Sequence, residues 1–310
     1  MRKNSYDTKQ EGYRMSVEFK PWFDTIIHKN LEEKGLGPFG YAIGAKNYPL
    51  YYNRDAFTAF LLEMGFCHPQ HYNRYINGQG SELLESNAPP KMASVASSSR
   101  FAYLALRWGA QAIGGTEYVE FEHECKIHGI RGTAPQLDAY TTDKNGNPIF
   151  IEVKCHEIFD PHKIELKAAY WDSIYGENNA FGFRPKQARP SNETFRVPLS
   201  KFGIDKEHSM MDIKQLLCHL MGIASQKESK QPASLVYLFF RPTATGNQHT
   251  LLDGVFARLN DEIDRIFNSK PIKTFCFIHR IDLKVVVEEA SIMERLSTSN
   301  IAYVRDFPHK

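Results

Sequence analysis

The chain has 310 residues, 42% of them hydrophobic and 24% charged, which is enough apolar material for one large core or two small ones. Basic and acidic side chains nearly cancel, 38 against 36, so a protein that coats nucleic acid indiscriminately is excluded and any such binding must rest on a local patch. No run is apolar enough to span a bilayer, Met1-Arg2-Lys3-Asn4 lacks a signal peptide's apolar core, and the five cysteines are scattered; a cytoplasmic protein with reduced thiols and no membrane contact is expected.

Val17, Phe19, Trp22, Phe23, Ile26, Ile27 and Leu31 form a helical stripe over residues 16–34, which Gly35-Leu36-Gly37-Pro38 ends. Ala56, Phe57, Phe60, Leu61 and Met64 repeat at three and four, predicting a second helix over 53–65. The tyrosines nearby (Tyr48, Tyr51, Tyr52, Tyr72, Tyr75) read as packing, and residues 1–77 as a helical accessory region. A glycine-rich turn at Asn77-Gly78-Gln79-Gly80 leads toward a short helix beginning near Glu82, without the Gly-Lys-Ser/Thr ending of a phosphate loop. Ser97-Ser98-Ser99 offers an N-cap for a helix over 100–109. Residues 118–127 alternate as a half-buried strand, with Glu120, Glu122 and Glu124 on its solvated face. Zinc is disfavoured, because His123, Cys125 and His128 lack a second ligand pair.

Gln136-Leu137-Asp138-Ala139-Tyr140 and Ile149-Phe150-Ile151-Glu152-Val153-Lys154 are apolar runs joined by a polar turn whose Asn145-Gly146 pair signals a hairpin. Alternation puts Glu152 and Lys154 on one face, Ile151 and Val153 on the other, and the hairpin brings Asp138 alongside. Two carboxylates and an ammonium suit phosphodiester hydrolysis. Carboxylate oxygens are hard ligands for Mg²⁺, the Val153 carbonyl adds another, and Lys154 orients or deprotonates the attacking water and offsets charge on the phosphorane.

Farther along, residues 211–226 repeat Ile213, Leu216, Leu217, Leu220 and Ile223 as a helix, and 234–240 read as a buried strand. The segment between Lys154 and that helix is long for a plain connection. Within it, over 181–201, Arg184, Lys186, Arg189, Arg196 and Lys201 face Glu193 alone and interleave with Phe181, Phe183 and Phe195, which predicts an exposed loop that meets phosphates and base edges. Residues 250–267 form an amphipathic helix, 274–287 one or two strands, and 288–310 a surface helix and tail.

Asp138, thirteen residues, then Glu152-Val153-Lys154 resembles the PD-(D/E)XK nuclease superfamily, which includes many type II restriction endonucleases; the proline stands three positions before the aspartate, at Pro135. The order helix, three strands, helix, strand is similar to the αβββαβ core of that superfamily. The resemblance covers residues 78–245. It implies an α/β fold in which a mixed sheet forms a restriction endonuclease-like core, with a basic insertion at 160–207, the helical region 1–77 before it and a helix/strand extension at 246–310 packed on it. It also implies a Mg²⁺-dependent deoxyribonuclease, with Mn²⁺ as a substitute, acting on double-stranded DNA, with a homodimer among its assemblies. By that resemblance Asp138, Glu152 and the Val153 carbonyl hold metal and Lys154 serves the water. Glu82 is the extra acid that the superfamily often takes from the first helix of its core, with Glu85 and Glu122 as competitors. Arg184, Lys186, Arg189 and Arg196 are the DNA-binding candidates. Gln215 and His219, four apart on a helix, resemble the Gln-X-X-X-Tyr motif of RecB-like and lambda-exonuclease-like members with His for Tyr. That gives the alternative of a repair or recombination exonuclease; a binding module that lost catalysis is another. Alanine at Asp138, Glu152 or Lys154 is expected to abolish cleavage and leave stability near wild type.

Overall fold

The computed structural model describes residues 15–78, 82–130, 134–176, 179–184, 193–227, 231–288 and 303–307. Helix α1 (Lys20–Glu33) has a proline in its first turn and buries Phe23, Ile26, Ile27 and Leu31. The next segment departs from the all-helical expectation: β1 (Phe39–Ile43) and β2 (Lys46–Tyr52) form an antiparallel hairpin around Gly44, whose φ of 57° a side chain disfavours. Helix α2 (Arg54–Cys67) is capped by Asn53, which accepts from the Ala56 N–H at 2.8 Å. Helix α3 (Pro69–Asn77) follows at once and buries His71 and Tyr75. No helix starts at Glu82, which lies in a turn; the first helix of the central unit is α4 (Ser98–Leu106), capped by Ser97.

Three antiparallel strands come next: β3 (Glu120–Glu124), β4 (Gln136–Thr142) and β5 (Pro148–Lys154). The β4–β5 turn closes on Asp143, whose carboxylate accepts from the Asn145 and Asn147 N–H groups at 2.8 Å, with Gly146 at φ 81°. Two short strands, β6 (Glu165–Lys167) and β7 (Thr194–Arg196), flank the one-turn helix α5 (Trp171–Tyr175) and pair with each other. Helix α6 (Ile213–Gln226) then leads into β8 (Ala233–Phe240), which runs parallel to β5. Helices α7 (Gly246–Phe267) and α8 (Lys270–His279) precede β9 (Ile281–Glu288), parallel to β8, and β10 (Tyr303–Phe307) closes that edge antiparallel. The mixed sheet has the order β10-β9-β8-β5-β4-β3. Strand β5 sits at its centre and is buried from Pro148 to Val153, as a strand covered on both faces must be. Among the described residues no helix is long and apolar enough to cross a membrane. All five cysteines are free.

Two further expectations are corrected. Residues 274–279, expected as strand, belong to α8: Pro271 starts it, and Ile272, Phe275 and Cys276 share its buried face. In the described part of the insertion the phenylalanines are not open to solvent either. Phe181 stacks on Phe275 at 4.2 Å, Phe183 meets Phe202 at 5.8 Å, and Phe195 meets Trp171 at 5.1 Å. Those aromatic rings are buried, Phe181 against α8 and the other two within the insertion, and are not available to stack on bases.

Helix α3 is fixed to β3 through rings, with His71 and Tyr75 at 4.8 and 5.5 Å from Phe121. Burial, and then the neighbouring His68, push the His71 pKa from 6.5 down to about 4, so the folded protein keeps this ring neutral. The unfolded chain protonates it sooner as pH falls, so stability should drop between pH 6.5 and about 4. Thermal melts of His71→Phe should show a flatter acid limb than wild type.

Candidate active site

The registers of the three antiparallel strands bring acids side by side. Phe121 pairs with Ala139 and His123 with Leu137, which sets Glu122 opposite Asp138. Ala139 pairs with Ile151, and the next step of that register sets Asp138 opposite Glu152. Neighbouring strands lie about 4.8 Å apart, so the carboxylates stand abreast across β3, β4 and β5. The Val153 N–H donates to Asp138 Oδ2 at 2.7 Å, tying the middle acid to β5. Burial first, and then Glu152, raise Asp138 well above the usual carboxylate range. Glu122 is pushed up to about 8 by burial and by the carboxylates of Glu82 and Glu152.

Glu122 is the residue that sequence reasoning misplaced. Alternation assigns it to a solvated face with Glu120 and Glu124, yet it is 9% exposed. Its backbone is at φ 51°, a left-handed conformation that costs a non-glycine residue energy and re-aims its side chain. Gly78 lies against it: a Cβ there would stand 3.4 Å from Glu122 Oε2 and 2.9 Å from the Arg74 carbonyl. The signal that finds Glu122 is the strand offset, not the alternation.

Lys154 closes the row from the other side. Its Nζ donates to Glu152 Oε1 at 2.6 Å and to Gln215 Oε1 at 2.7 Å. Burial favours the neutral amine, but Glu152, Glu157 and Asp138 outweigh it and hold Lys154 above its ordinary pKa, so it remains an ammonium. The Lys154 and Glu152 side chains are 14% and 3% exposed, and Glu152 Oε2 is buried without a hydrogen bond. Gln215 and His219 do share one face of α6, and that face meets the sheet. The His219 ring is buried, bonds the Gln136 carbonyl oxygen through Nε2 at 3.1 Å and stands 3.8 Å from Glu152 Oε2. Gly222 lets α6 approach this closely, since a Cβ there would fall 2.6 Å from Cys125 Cβ. Gly222→Ala should lower stability by about 2 kcal/mol and loosen the whole α6 wall, read as a lower Tm.

These groups open into a cavity of about 420 Å³. Glu82, Asp138, Glu152, Lys154 and Gln215 all line it, together with Glu122. Glu82 reaches the cavity from its turn and pairs with Lys91 at 3.1 Å. Glu85 is held elsewhere by Arg54 at 2.6 Å and by the Tyr41 hydroxyl. Ser97, Ser98 and Ser99 at the start of α4 form part of the opposite wall, and His156, bonded through Nδ1 to Asp24 of α1 at 2.7 Å, stands at the rim. The serines, Glu157 and His156 are lining residues that no motif announces.

An oxygen-rich set of this kind fits a hard divalent cation. A buried carboxylate oxygen lacks a partner, and carboxylates set abreast push one another's protons on, a repulsion that a bound cation relieves. Among the described residues no three His, Cys, Asp or Glu side chains form a ready-made metal cage. Mg²⁺ does not require one, because it keeps several waters and takes one or two carboxylates.

The two described DNA-binding candidates, Arg184 and Arg196, do not line this cavity. Arg184 is exposed; Arg196 is exposed and paired with Glu165 at 3.1 Å on the β6–β7 hairpin. Lys186 and Arg189 fall outside the described residues. Compared with known proteins, the chain matches no family model, no curated protein and no solved structure.

Proposed function

We propose that this protein is a metal-dependent nuclease that hydrolyses DNA phosphodiester bonds, with the αβββαβ unit from α4 to β8 as a restriction endonuclease-like core. One observation carries the reading: Asp138, Glu152, Lys154 and Gln215, from three separate elements, meet in a single open cavity in which Glu152 keeps an unpartnered oxygen. The helix, antiparallel meander, helix and parallel strand in that order support it further. Asp138, Glu152 and the Val153 carbonyl are the groups that would hold Mg²⁺ or Mn²⁺, which when bound polarises the phosphate and lowers the pKa of a water.

In hydrolysis the water oxygen forms a new bond to phosphorus as a bond from phosphorus to a sugar oxygen breaks; the attacking water gives up one proton to solvent and the departing sugar oxygen takes one up from solvent. Lys154, held as an ammonium, donates hydrogen bonds to the water and the crowded phosphate oxygens, which stabilises the charge that develops there. Gln215 fixes the Lys154 rotamer. Arg184, exposed and outside the cavity lining, acts as a further phosphate contact on double-stranded DNA.

The test is digestion of supercoiled plasmid with Mg²⁺, with Ca²⁺ and with chelator. Nicked or linear product in Mg²⁺ alone, with DNA retained but uncut in Ca²⁺, is the expected result; equal cutting in chelator, or no cutting of either supercoiled or linear DNA in any buffer, ends the proposal. The contact between Gln215 and Lys154 favours one second reading, a repair or recombination exonuclease, which would degrade linear DNA from its ends and spare the closed circle.

A further inference from the structure

Beside the cavity just described, and sharing Glu122 and Gln136 with it, lies a second concavity of about 430 Å³. Its other wall is helix α3, through Gln70, Asn73, Arg74 and Asn77. Those positions follow the spacing i, i+3, i+4 and i+7, so they form one helical face. All four are exposed, while His71 and Tyr75 on the opposite side lock the helix to Phe121. The face is therefore presented rigidly next to the carboxylate row.

The chemistry of the wall selects its occupant. A groove made for phosphates would carry free cations, but the one guanidinium here is paired with Glu120 at 2.8 Å and carboxylates of Glu122 and Glu124 stand across from it. Such a groove holds little attraction for a phosphate backbone. Amides present a donor and an acceptor side by side, the pattern that matches base edges, and carboxylates accept from the amino groups of cytosine and adenine. Resting on the nuclease reading above, we infer that Gln70, Asn73 and Asn77 of α3 read the bases next to the scissile phosphodiester and give the enzyme a sequence preference at the cut.

The probe is a library of random-sequence DNA duplexes, selected by binding to the full chain in Ca²⁺ and, separately, mapped by its cut ends in Mg²⁺. Wild type should enrich a short sequence in both. The double variant Asn73→Ala with Asn77→Ala, which replaces exposed helical asparagines by a better helix former and so keeps the fold, should lose at least about fivefold of the discrimination at one or two positions. Its total affinity for DNA should stay within about threefold, because phosphate contacts supply most of that affinity. Binding and cleavage that are indifferent to sequence in wild type, or a preference unchanged in the double variant, overturn this inference and leave the nuclease reading standing. Absence of both DNA binding and Mg²⁺-dependent cleavage in wild type overturns the nuclease reading, and this inference with it.

Discussion

Lys154→Met should reduce Mg²⁺-dependent DNA cleavage by about 10³-fold and also lower stability by about 3 kcal/mol. The first effect follows from its role: it donates hydrogen bonds to the attacking water and the crowded phosphate, and Lys91, the other lysine lining the cavity, is paired with Glu82 at 3.1 Å. The second departs from the sequence-based expectation of near-wild-type stability. The Lys154–Glu152 pair is 2.6 Å long and nearly enclosed, and removing one partner of a buried pair strands the other charge. Here the stranded Glu152 would face Asp138 and Glu122 with no cation among them. Urea melts at neutral pH check the second effect, and cleavage of labelled duplex checks the first. Lys154→Arg, which keeps the charge in a differently shaped donor, should recover most of the stability and little of the activity. A Lys154→Met variant as stable as wild type would show that the pair is solvated enough to be dispensable.

Asp138→Asn should act in the opposite sense on stability. Asp138 is the middle acid of the row, raised by burial and by Glu152, so folding confines a carboxylate where its charge is disfavoured. Asparagine retains an oxygen to accept from the Val153 N–H and drops the charge. Stability should rise by about 1 kcal/mol while cleavage falls by about 10³-fold. A binding readout separates this from a mere loss of activity: Mg²⁺ should raise the Tm of wild type and leave that of Asp138→Asn nearly unchanged. A variant that is less stable than wild type would mean that Asp138 is held for the hairpin and not for a ligand.

Much of the local structure is legible from residues alone. The turn over 143–147 follows from an aspartate able to accept from successive N–H groups and a glycine that tolerates positive φ, and both are local properties. Alternation in β4 and continuous apolar character in β5 and β8 identify a half-buried strand and two strands covered on both faces. The stripe Ile213, Leu216, Leu217, Leu220 and Ile223 specifies α6, and the hairpin then makes Asp138 a neighbour of Glu152 without further information. What the sequence by itself determined is therefore the mixed α/β class, the hairpin and the pairing of its two acids, because these depend on contacts a few residues apart.

Tertiary structure decided the rest. Glu122 enters the row only through the offset between β3 and β4 and a left-handed backbone, neither of which a run of alternating glutamates reveals. Gln215 and His219 carry the same polar character on a solvated helix face as on one pressed into a site; the close approach at Gly222 turns them inward. Phe181, Phe183 and Phe195 read as ligand-stacking rings until Phe275 of α8, Phe202 and Trp171 cover them, since hydrophobic burial depends on which other surface arrives. The hairpin β1–β2 and the helical residues 274–279 were hidden for a related reason: short apolar runs satisfy both periodicities, and only packing against the rest of the core selects one.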